Sequence, residues 1–552
     1  MKKIAIYDRY LSTVGGGERY SCKIAEVLSK QNEFKVDLIT DIFADLREVS
    51  GRLNLDLDRV NLKIFPFVSE DYAVKITKKY DLFMNATYLS SLPAFSQKNI
   101  YLCYFPTPFD VDFKFIHKFL LFFFRLPARW LFKLADKLLE GSSEIEIEEG
   151  LYEPKRFLLR RGSWSSGRVI LRVKKSNQPL RLGFKNPSTT GLGLMKVNIK
   201  LFGDRADGDR AGSEGFSYNK DIELYNKDIE LGKGARETAE IPLSLIRDFS
   251  EVLISSDTFI PVEIDRSSKD SRKLGVVVYD ERRISLFKKA VLKILGYVPL
   301  FLITFPRDLT FLKTYDKIIA ISEYSKKWIK KLWGSESTIL FPPVDIDSFK
   351  VGKKEKIILG VGRFFPEHHN KKQLELAQIF KQILEQYPDE MRGYTLYLVG
   401  GVGGRADHLE YVEKIRAASK NYPIEIITNI GWKELVELFA RAYIFWHASG
   451  MGEDEKAHPE KFEHFGITTV EAMAAGCIPV VINKGGQKEI INNGYDGFFF
   501  EDWQELKDIT IKIIRGEVDV EKVRKNAIAN CRKFSNSNFK KDLISIIGKI
   551  LN

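Results

Sequence analysis

Two glutamates eight residues apart mark the stretch of the sequence that is best suited to chemistry. Glu463 and Glu471 begin and end the sequence EHFGITTVE, within which a helix is predicted to start and to continue as far as Gly476. Glu471 has a structural interpretation, because Thr468 and Glu471 have the spacing of a helix capping box. Glu463 has no such interpretation. A loop carboxylate beside a helix N-terminus is placed to accept hydrogen bonds from the hydroxyl groups of a ligand.

Three cations precede this pair of glutamates at positions where they can meet a phosphate. Arg363 follows a predicted strand over residues 356–361, and Lys371 and Lys372 come shortly after it. At the carboxyl ends of parallel strands such cations can neutralise a leaving diphosphate, and so can the unpaired N–H groups at a helix N-terminus. Arg363 alone could be an ordinary surface charge. Together with the two glutamates it indicates a phosphate-binding cleft.

A glycine loop near the start of the chain is the second candidate for phosphate contact. Gly15, Gly16 and Gly17 separate a predicted strand over residues 3–7 from a predicted helix over residues 18–29. Glycines in such a loop let backbone N–H groups approach a diphosphate closely. The dinucleotide fingerprint GxGxxG fails, however, because Tyr20 occupies the last glycine position. The loop is therefore either a plain tight turn or a ligand-facing surface.

The elements that must position these residues alternate between strands and helices in two regions, which predicts parallel doubly wound sheets. Between the two regions, Gly, Ser, Asn and Asp clusters separate short alternating segments that are typical of an antiparallel β-sandwich. Inside that module YNKDIEL occurs twice in tandem, which we interpret as a duplication that lengthens a loop or hairpin. The predicted strands of the parallel regions are 3–7, 36–40, 62–67, 82–85, 100–104, 317–321, 356–361, 395–399, 424–428, 443–448 and 478–482, and those of the module are 143–148, 168–173, 195–201, 251–255 and 274–279.

Composition agrees with a multidomain globular protein that handles phosphates. The chain has 552 residues, 86 Lys and Arg and 74 Asp and Glu, which gives a net charge of +12. A basic surplus favours nucleic acid, nucleotide substrates or anionic lipid as partners. No run of 18 uncharged apolar residues predicts a membrane-spanning helix, and Asp8 interrupts the N-terminus too early for a signal peptide. The four widely spaced cysteines predict a reducing compartment and no zinc ribbon, and the histidines show no metal-ligand spacing.

Three longer motifs carry a resemblance to a known family. The sequences VGRFFPEHHNKKQLELAQIF, FEHFGITTVEAMAAGCIPVV and NKGGQKEII closely resemble glycosyltransferase family 4, whose members are retaining enzymes of the GT-B fold. With the opening GGGER, they are especially similar to the α-1,2-mannosyltransferases that extend a lipid-linked oligosaccharide and to their prokaryotic relatives. The resemblance covers roughly residues 1–135 and 310–500. It implies an α/β fold of two Rossmann-like domains, GT-B, with the all-β sandwich inserted into the first.

The resemblance also implies roles for individual residues. Arg363 and Lys371 would hold the donor diphosphate, with Lys372 as the alternative to Lys371, while Glu463 would bind the donor sugar and Glu471 the nucleotide ribose. Backbone N–H groups of the stretch between the glutamates would contact sugar and phosphate. On the acceptor side the glycine loop would shape the cleft, and a tyrosine stands where many members have a histidine. These further residues are Phe465, Gly466, Ile467 and Thr468 for the donor and Gly16, Gly17 and Tyr104 for the acceptor. The resemblance calls for no metal and no cofactor, since the nucleotide-sugar is a substrate.

The predicted domain boundaries follow from the same features. They are 1–140 for the first part of the N-terminal domain, 141–282 for the β-module, 283–349 for the second part of the N-terminal domain, and 350–552 for the nucleotide-sugar-binding domain. The module's sequence TFIPVEIDRSSKDSRKLGVVV resembles jelly-roll modules attached to other glycosyltransferases. Its role is either sugar binding or a structural or partner-docking one.

Two segments that flank the β-module are apolar and basic. Residues 113–133 contain eight Phe or Trp and five Lys or Arg with no acid, and residues 284–305 are apolar with three lysines. If the first segment is helical, its cations lie on one face, with a kink at Pro127. The segments are either a buried helical pair or a patch that binds anionic lipid. The cations of that face are Lys114, Lys118, Arg125 and Arg129.

The sequence therefore predicts a retaining glycosyltransferase that moves mannose or another hexose from a nucleotide-sugar to a lipid-linked or other membrane-proximal glycan. We expect a cytoplasmic enzyme, peripheral on the inner face of the cell membrane. GDP-mannose is the favoured donor, followed by UDP-glucose or UDP-GlcNAc. One alternative is a non-catalytic sugar- or lipid-binding protein on a transferase scaffold, although the intact Glu463, Glu471 and Arg363 argue against it. The other alternative is a nucleic-acid-binding protein. The basic stripe of such a protein would contain polar and stacking residues, whereas the stripe of this chain contains Phe and Leu.

Overall fold

The computed structural model describes residues 1–551 apart from 12–14, 41–43, 65–73, 75, 109–114, 141–144, 152–161, 175–178, 189–191, 204–221, 247–248, 265–273, 282–285, 288–289, 291–293, 295–297, 299–301, 303–308, 368–369 and 404–405. The first α/β unit begins with β1 Lys2–Tyr7, α1 Gly16–Ser29, β2 Phe34–Thr40, α2 Leu46–Leu53, β3 Val60–Ile64, β4 Leu82–Asn85 and β5 Lys98–Cys103. The strands pair in parallel, and β1, β2, β4 and β5 are largely buried on both faces, as their continuous apolar runs predict.

A long helix and an antiparallel module follow β5. The helix is α3 Phe115–Glu140, which runs through Pro127. The module comprises β6 Ile145–Leu151, β7 Ser163–Lys174, β8 Leu180–Lys185, β9 Leu194–Gly203, β10 Ile222–Gly232, β11 Arg236–Ile241, β12 Phe249–Ser256, the short helix α4 Pro261–Ile264 and β13 Val277–Asp280. Its strands run in the order β10-β9-β12-β7-β13-β8-β11, with β6 beside β7.

The predicted sandwich is confirmed in part. The strands are antiparallel and surround one apolar core, but they form a continuous path because β7 belongs to both halves. Its end pairs with β12 and its beginning with β13. Gly167 lies between these two stretches with φ +93°, where a Cβ atom would stand 2.3 Å from Thr258 Cγ2. This glycine allows the strand to cross from one half to the other.

Of the two predicted alternatives, a loop or a hairpin, the described part of the duplication fits the hairpin, because it lengthens a strand that pairs with the preceding one. The second YNKDIEL copy and the end of the first lie in β10, which pairs with β9 through a register shift between Glu223 and Tyr225. The first four residues of the duplication fall outside the described residues. Strands β8 and β11, which we did not predict, pair with each other at the edge of the module.

The chain then returns to the first sheet. It forms β14 Lys317–Ala320, α5 Glu323–Trp333 and β15 Thr338–Ile339, and β14 pairs in parallel with β5. The resulting order is β15-β14-β5-β4-β1-β2-β3. The β-module is therefore an excursion from the first sheet, while the residue boundaries assigned to the domains stay predictions.

A second parallel sheet completes the fold. Its elements are β16 Ile357–Val361, α6 Gln373–Gln386, β17 Thr395–Gly400, α7 Ala406–Ser419, β18 Ile424–Thr428, α8 Trp432–Arg441, β19 Ile444–His447, α9 Ile467–Ala474, β20 Ile478–Ile482, α10 Gln487–Ile490, β21 Phe498–Phe500, α11 Trp503–Ile514, α12 Val520–Asn530 and α13 Asn536–Leu551. The strand order β18-β17-β16-β19-β20-β21 is that of a doubly wound nucleotide-binding sheet.

The two α/β units share apolar core. The last helix, α13, packs back on the first unit, where Phe539 meets Tyr20 with ring centroids 5.5 Å apart. The four cysteines are free and buried. Within the described ranges, none of the helices is long and apolar enough to cross a membrane.

Candidate active site

The loops at the carboxyl ends of β1 and β16 meet the beginning of α9, and together they build the candidate site. A Cβ atom on Gly15 would lie 3.6 Å from Arg363 Nη1, and one on Gly16 would lie 3.5 Å from Ile467 Cδ1. The predicted glycine loop and the predicted donor-binding residues therefore face each other. Ligands of doubly wound sheets bind at this edge.

Glu463 lies at the centre of a half-buried charged cluster. Its Oε2 accepts a hydrogen bond from Lys371 Nζ and contacts Nε2 of His447 at 2.9 Å. Burial alone would raise the pKa of Glu463, but the charge of Lys371 and the hydrogen bonds from both neighbours hold it well below its ordinary value. Glu463 is thus an ionised carboxylate, and no residue in the described ranges bonds its Oε1.

The two lysines have different surroundings. Lys371 contacts Glu463, and its side chain crosses Gly362 so closely that a Cβ there would stand 2.6 Å from Lys371 Cγ. Lys372 instead adopts φ +58° at the start of α6, and its Nζ lies 3.4 Å from Glu453 Oε1. The geometry favours Lys371 as the phosphate ligand between the two predicted alternatives.

Arg363 is exposed beside the cluster. Its guanidinium carbon lies 5.2 Å from the centroid of the Phe365 ring. No carboxylate within the described part of the chain forms an ion pair with it, so its charge is available to an anionic ligand. This position fits the predicted role at the donor diphosphate, which remains a prediction.

The beginning of α9 differs from the predicted capping box. The helix starts at Ile467 after Gly466, whose φ is +116°, and no side chain among the described residues caps it. Thr468 is the second helical residue, so Thr468 and Glu471 do not form the box, and that prediction was wrong. The backbone at Phe465 and Gly466 leads directly into an uncapped N-terminus, which favours a negatively charged group there.

Glu471 faces the first α/β unit. Its carboxylate lies 3.6 Å from Arg19 Nη1, and the Arg19 guanidinium stacks on Trp432 at 4.4 Å. Burial raises the pKa of Glu471 to about 7, although Arg19 opposes the increase. Glu471, which we predict to bind the ribose, is therefore in contact with Arg19 of α1, the helix that follows the glycine loop.

Tyr104 contacts the glycine loop through its hydroxyl group and its ring. Its hydroxyl donates a hydrogen bond of 2.9 Å to the Gly17 carbonyl, and a Cβ on Gly17 would lie 3.4 Å from Tyr104 Cζ. Glu18 accepts a hydrogen bond of 2.6 Å from the Gly15 N–H and so fixes the other end of the loop. The tyrosine at the predicted histidine position therefore acts on the loop.

A further contact joins the two units beside Glu463. Glu489 accepts hydrogen bonds from the N–H groups of Glu323 and Tyr324 at 2.7 and 2.6 Å, and thereby caps α5 of the first unit. Ser322 donates a hydrogen bond of 2.6 Å to the carbonyl of His464, the neighbour of Glu463. These contacts fix the first unit relative to the charged cluster.

The sequence did not indicate Arg19, His447 or Glu489 as site residues. Arg19 and Glu489 belong to the quoted motifs GGGER and NKGGQKEII, and His447 lies near the end of a predicted strand, so all three positions carried a weak signal. The partners of Arg19 and Glu489 lie far away in the chain, which local spacing does not show.

No group of His, Cys, Asp and Glu in the described ranges could hold a metal ion. Two Asp-x-Asp triplets, at 110–112 and 207–209, and the histidine pair at 368–369 lie outside those ranges. The expectation of a metal-free site without a cofactor stays a prediction.

Comparisons with known proteins identify what this chain is similar to. Residues 343–534 match the family model for glycosyl transferases group 1. The chain is 31% identical over 238 residues to the GDP-Man:Man(3)GlcNAc(2)-PP-Dol alpha-1,2-mannosyltransferase of Dictyostelium discoideum, which covers 40% of this chain and 44% of that protein. Its Homo sapiens counterpart is 27% identical over 254 residues, covering 43% and 49%. The chain spans about half the length of the curated relatives it matches.

One solved structure similar to this chain is that of Anabaena Alr3699/HepE in complex with UDP and glucose, with a TM-score of 0.48, 12% identity, and coverage of 99% of this chain and 100% of that chain. The match of residues 343–534 to this family model confirms the predicted resemblance to glycosyltransferases.

Proposed function

We propose that the chain is a retaining GT-B glycosyltransferase that transfers a hexose, with mannose favoured, from a nucleotide-sugar to a lipid-linked or other membrane-proximal glycan. The observation that carries the proposal is the half-buried Lys371–Glu463–His447 cluster beside the exposed Arg363 and the glycine loop. An ionised carboxylate next to uncommitted positive charge suits a ligand with both hydroxyl groups and phosphates.

The residues divide the work of transfer between the sugar and the diphosphate. Arg363 and Lys371 stabilise the charge that develops on the diphosphate as the bond to the sugar breaks, together with the uncapped N-terminus of α9. Glu463 accepts a hydrogen bond from a sugar hydroxyl and so orients the ring. The leaving phosphate takes the proton of the acceptor hydroxyl, which removes the need for a separate general base.

GDP-mannose is the donor we propose. The Dictyostelium and human relatives carry GDP-Man and a Man(3)GlcNAc(2)-PP-Dol acceptor in their names. UDP-linked sugars are the alternatives, since the described site residues discriminate charge and hydroxyl groups rather than a base.

A panel of GDP-mannose, UDP-glucose and UDP-GlcNAc tests the donor. A ligand that binds the folded protein at 100 times its Kd stabilises it by about 2.7 kcal/mol and therefore raises its Tm. We expect GDP-mannose to raise the Tm and to be hydrolysed slowly without acceptor. A Glu463→Gln variant should lose the hydrolysis. Stabilisation without hydrolysis or transfer for every donor would favour the non-catalytic sugar-binding protein.

A membrane-facing surface supports the choice of acceptor. On α3 the side chains of Leu121 and Ala128 pack against Leu302, so this face of the helix is buried. The opposite face is open to solvent, with Phe122 82% and Trp130 67% exposed. A large exposed aromatic face is unusual for a soluble surface and is typical of one that lies in a lipid interface.

This apolar face is flanked by cations. Lys118, Arg125 and Arg129 lie on α3, and the segment after the β-module adds exposed Leu286 and Phe287. Lys and Arg near an anionic bilayer each contribute about 1 kcal/mol of attraction. We propose that the enzyme binds reversibly to an anionic membrane surface through α3, at the inner face of the cell membrane.

Sedimentation with vesicles tests the surface. The protein should bind anionic vesicles, bind neutral ones poorly, and dissociate at high salt because screening weakens the attraction. Charge reversal at Lys118, Arg125 and Arg129 should abolish binding while donor hydrolysis continues. Charge reversal at the exposed Lys512 and Lys525 on the second unit is the matched control and should leave binding unchanged. Failure of the unaltered protein to bind any vesicle, with activity on a soluble acceptor, would favour a soluble glycan as acceptor.

A further inference from the structure

His447 is a buried histidine in contact with the central carboxylate. It ends β19, between β16 and β20, and its side chain is 2% exposed, compared with 18% for Glu463 and 22% for Lys371. Its Nε2 lies 2.9 Å from Glu463 Oε2, the same oxygen that Lys371 contacts. The carboxylate is therefore held at one oxygen by two side chains.

The two partners of Glu463 differ in mobility. Lys371 reaches the carboxylate at the end of a flexible side chain, and the proposed function also assigns it to the donor diphosphate. His447 is fixed by the strand that carries it, because β19 pairs with β20 and its ring packs near Phe445 at 6.5 Å. When a diphosphate attracts the ammonium group of Lys371, the imidazole remains in place.

The protonation state of His447 defines its hydrogen bond. Burial lowers the pKa of His447, although Glu463 opposes the decrease. The ring is therefore neutral near pH 7 and carries one N–H. Since a carboxylate can only accept, this N–H is on Nε2 and donates to Glu463.

We propose that His447 is a positioning residue that anchors Glu463 through Oε2 and leaves Oε1 directed to a hydroxyl group of the donor sugar. This inference rests on the proposed function, because it assigns Glu463 to the donor. It adds that the sugar-orienting carboxylate depends on an N–H from β19 and not on Lys371 alone. The groups that face Glu463 are Lys371, His447 and the neighbouring His464.

Three substitutions separate the hydrogen bond from packing. His447→Gln keeps an N–H at about the position of Nε2, whereas His447→Phe keeps the ring and removes the donor. His447→Asn keeps a polar side chain that is too short to reach Glu463. It is the variant without the hydrogen bond to be measured if the Phe variant does not fold. Trp446→Phe is the control, because Trp446 lies on the opposite face of β19 and bonds Thr510.

We expect the Phe and Asn variants to lose at least about tenfold in kcat for donor hydrolysis, with the KM for the donor changed by less than about threefold. The acid limb of the pH profile should move to higher pH in both, because a carboxylate that loses a hydrogen-bond donor has a higher pKa. The Gln variant should restore both values to within about threefold and a few tenths of a pH unit. Trp446→Phe should leave the acid limb unchanged.

Crystal structures of the ligand-free variants give a readout that does not depend on activity. The Glu463 carboxylate should be displaced in the Phe and Asn variants and remain in place in the Gln variant. An undisplaced carboxylate, or an unchanged pH profile in the Phe and Asn variants, overturns the inference. If the unaltered protein neither binds nor hydrolyses any nucleotide-sugar, the proposed function fails, and the displacement still decides whether His447 holds Glu463.

Discussion

Replacing Glu471 with glutamine should make the protein more stable at alkaline pH, although it removes an ion pair between the two α/β units. The carboxylate is 5% exposed, and its pKa is raised from 4.5 to about 7 by burial, with Arg19 opposing the increase. A carboxyl group with a raised pKa contributes stability that is fully present below pH 4.5 and lost as the pH rises through 7. Glutamine keeps the shape and carries no charge at any pH.

The size of the effect follows from the two pKa values. At about 1.4 kcal/mol for each pKa unit, the increase from 4.5 to about 7 corresponds to about 3 kcal/mol at pH 9. In a unit of 150–250 residues this amounts to roughly 6–12 °C in Tm. The attraction of Arg19 is already included in the value of about 7, so its loss does not cancel the gain.

Thermal unfolding at pH 5, 6, 7, 8 and 9 measures the difference. At pH 5 the carboxyl group of the unfolded chain is already mostly ionised, so we expect Glu471→Gln to unfold about 2–3 °C above the unaltered protein there, and several degrees further above it at pH 9. Glu425→Gln on the exposed side of β18 is the matched control and should show no such trend. A variant that is less stable at pH 9 than the unaltered protein would refute the reasoning, because the pair with Arg19 would then outweigh the cost of burying the charge.

The remaining predictions concern the cleft and the β-module. Glu463→Gln should lower turnover by at least about 100-fold with the fold intact, and more than a third of the activity remaining would mean that the assigned role is wrong. Arg363→Ala and Lys371→Ala should each weaken the binding of a nucleoside diphosphate by about 1.5–3 kcal/mol, whereas the binding of the free nucleoside, also measured by calorimetry, should not change. Lys372→Ala should have little effect, since its ammonium group faces Glu453; the opposite result would exchange the two lysines. Replacing residues 141–280 with a short linker should leave donor hydrolysis and impair transfer to the acceptor; an insoluble or inactive product would make the module part of the core.

The parallel sheets could be predicted because burial on both faces leaves a strong signal in the sequence. Strand β4 agrees with the prediction at both ends, and β20 does so as well, since each is a short apolar run that is buried along its whole length. The antiparallel module was harder. Strand β8 contains Gly183, where a Cβ atom would stand 2.3 Å from Glu281 Oε1, so the feature that weakens its strand pattern is a requirement of packing across the sheet.

The contacts around the two glutamates show where local spacing misleads. Thr468 and Glu471 have the spacing of a capping box, yet the helix begins at Ile467 after Gly466 at φ +116°, two residues earlier than that box requires. Glu471 is thereby directed to Arg19, which is more than 400 residues away in the chain. The sequence identifies Glu471 as a site residue but contains no local signal for its pair with Arg19, because the pair forms only when the two units meet.

Helix α1 explains why the dinucleotide fingerprint fails although the glycine loop faces a ligand cleft. The last glycine of that fingerprint normally allows close packing of helix on strand. Here Tyr20 is buried at that position, its hydroxyl donates a hydrogen bond of 2.6 Å to the carbonyl of Leu340, and its ring meets Phe539 of the last helix. Glu18, two residues before this tyrosine, accepts the hydrogen bond from the Gly15 N–H at the end of the glycine loop. Arg19, one residue before it, pairs with Glu471. Tyr20, the side chain that breaks the fingerprint, therefore links the helix that follows the glycine loop both to Leu340, in the segment that connects the two units, and to α13. The position of the glycine loop in the cleft thus depends on the docking of α13.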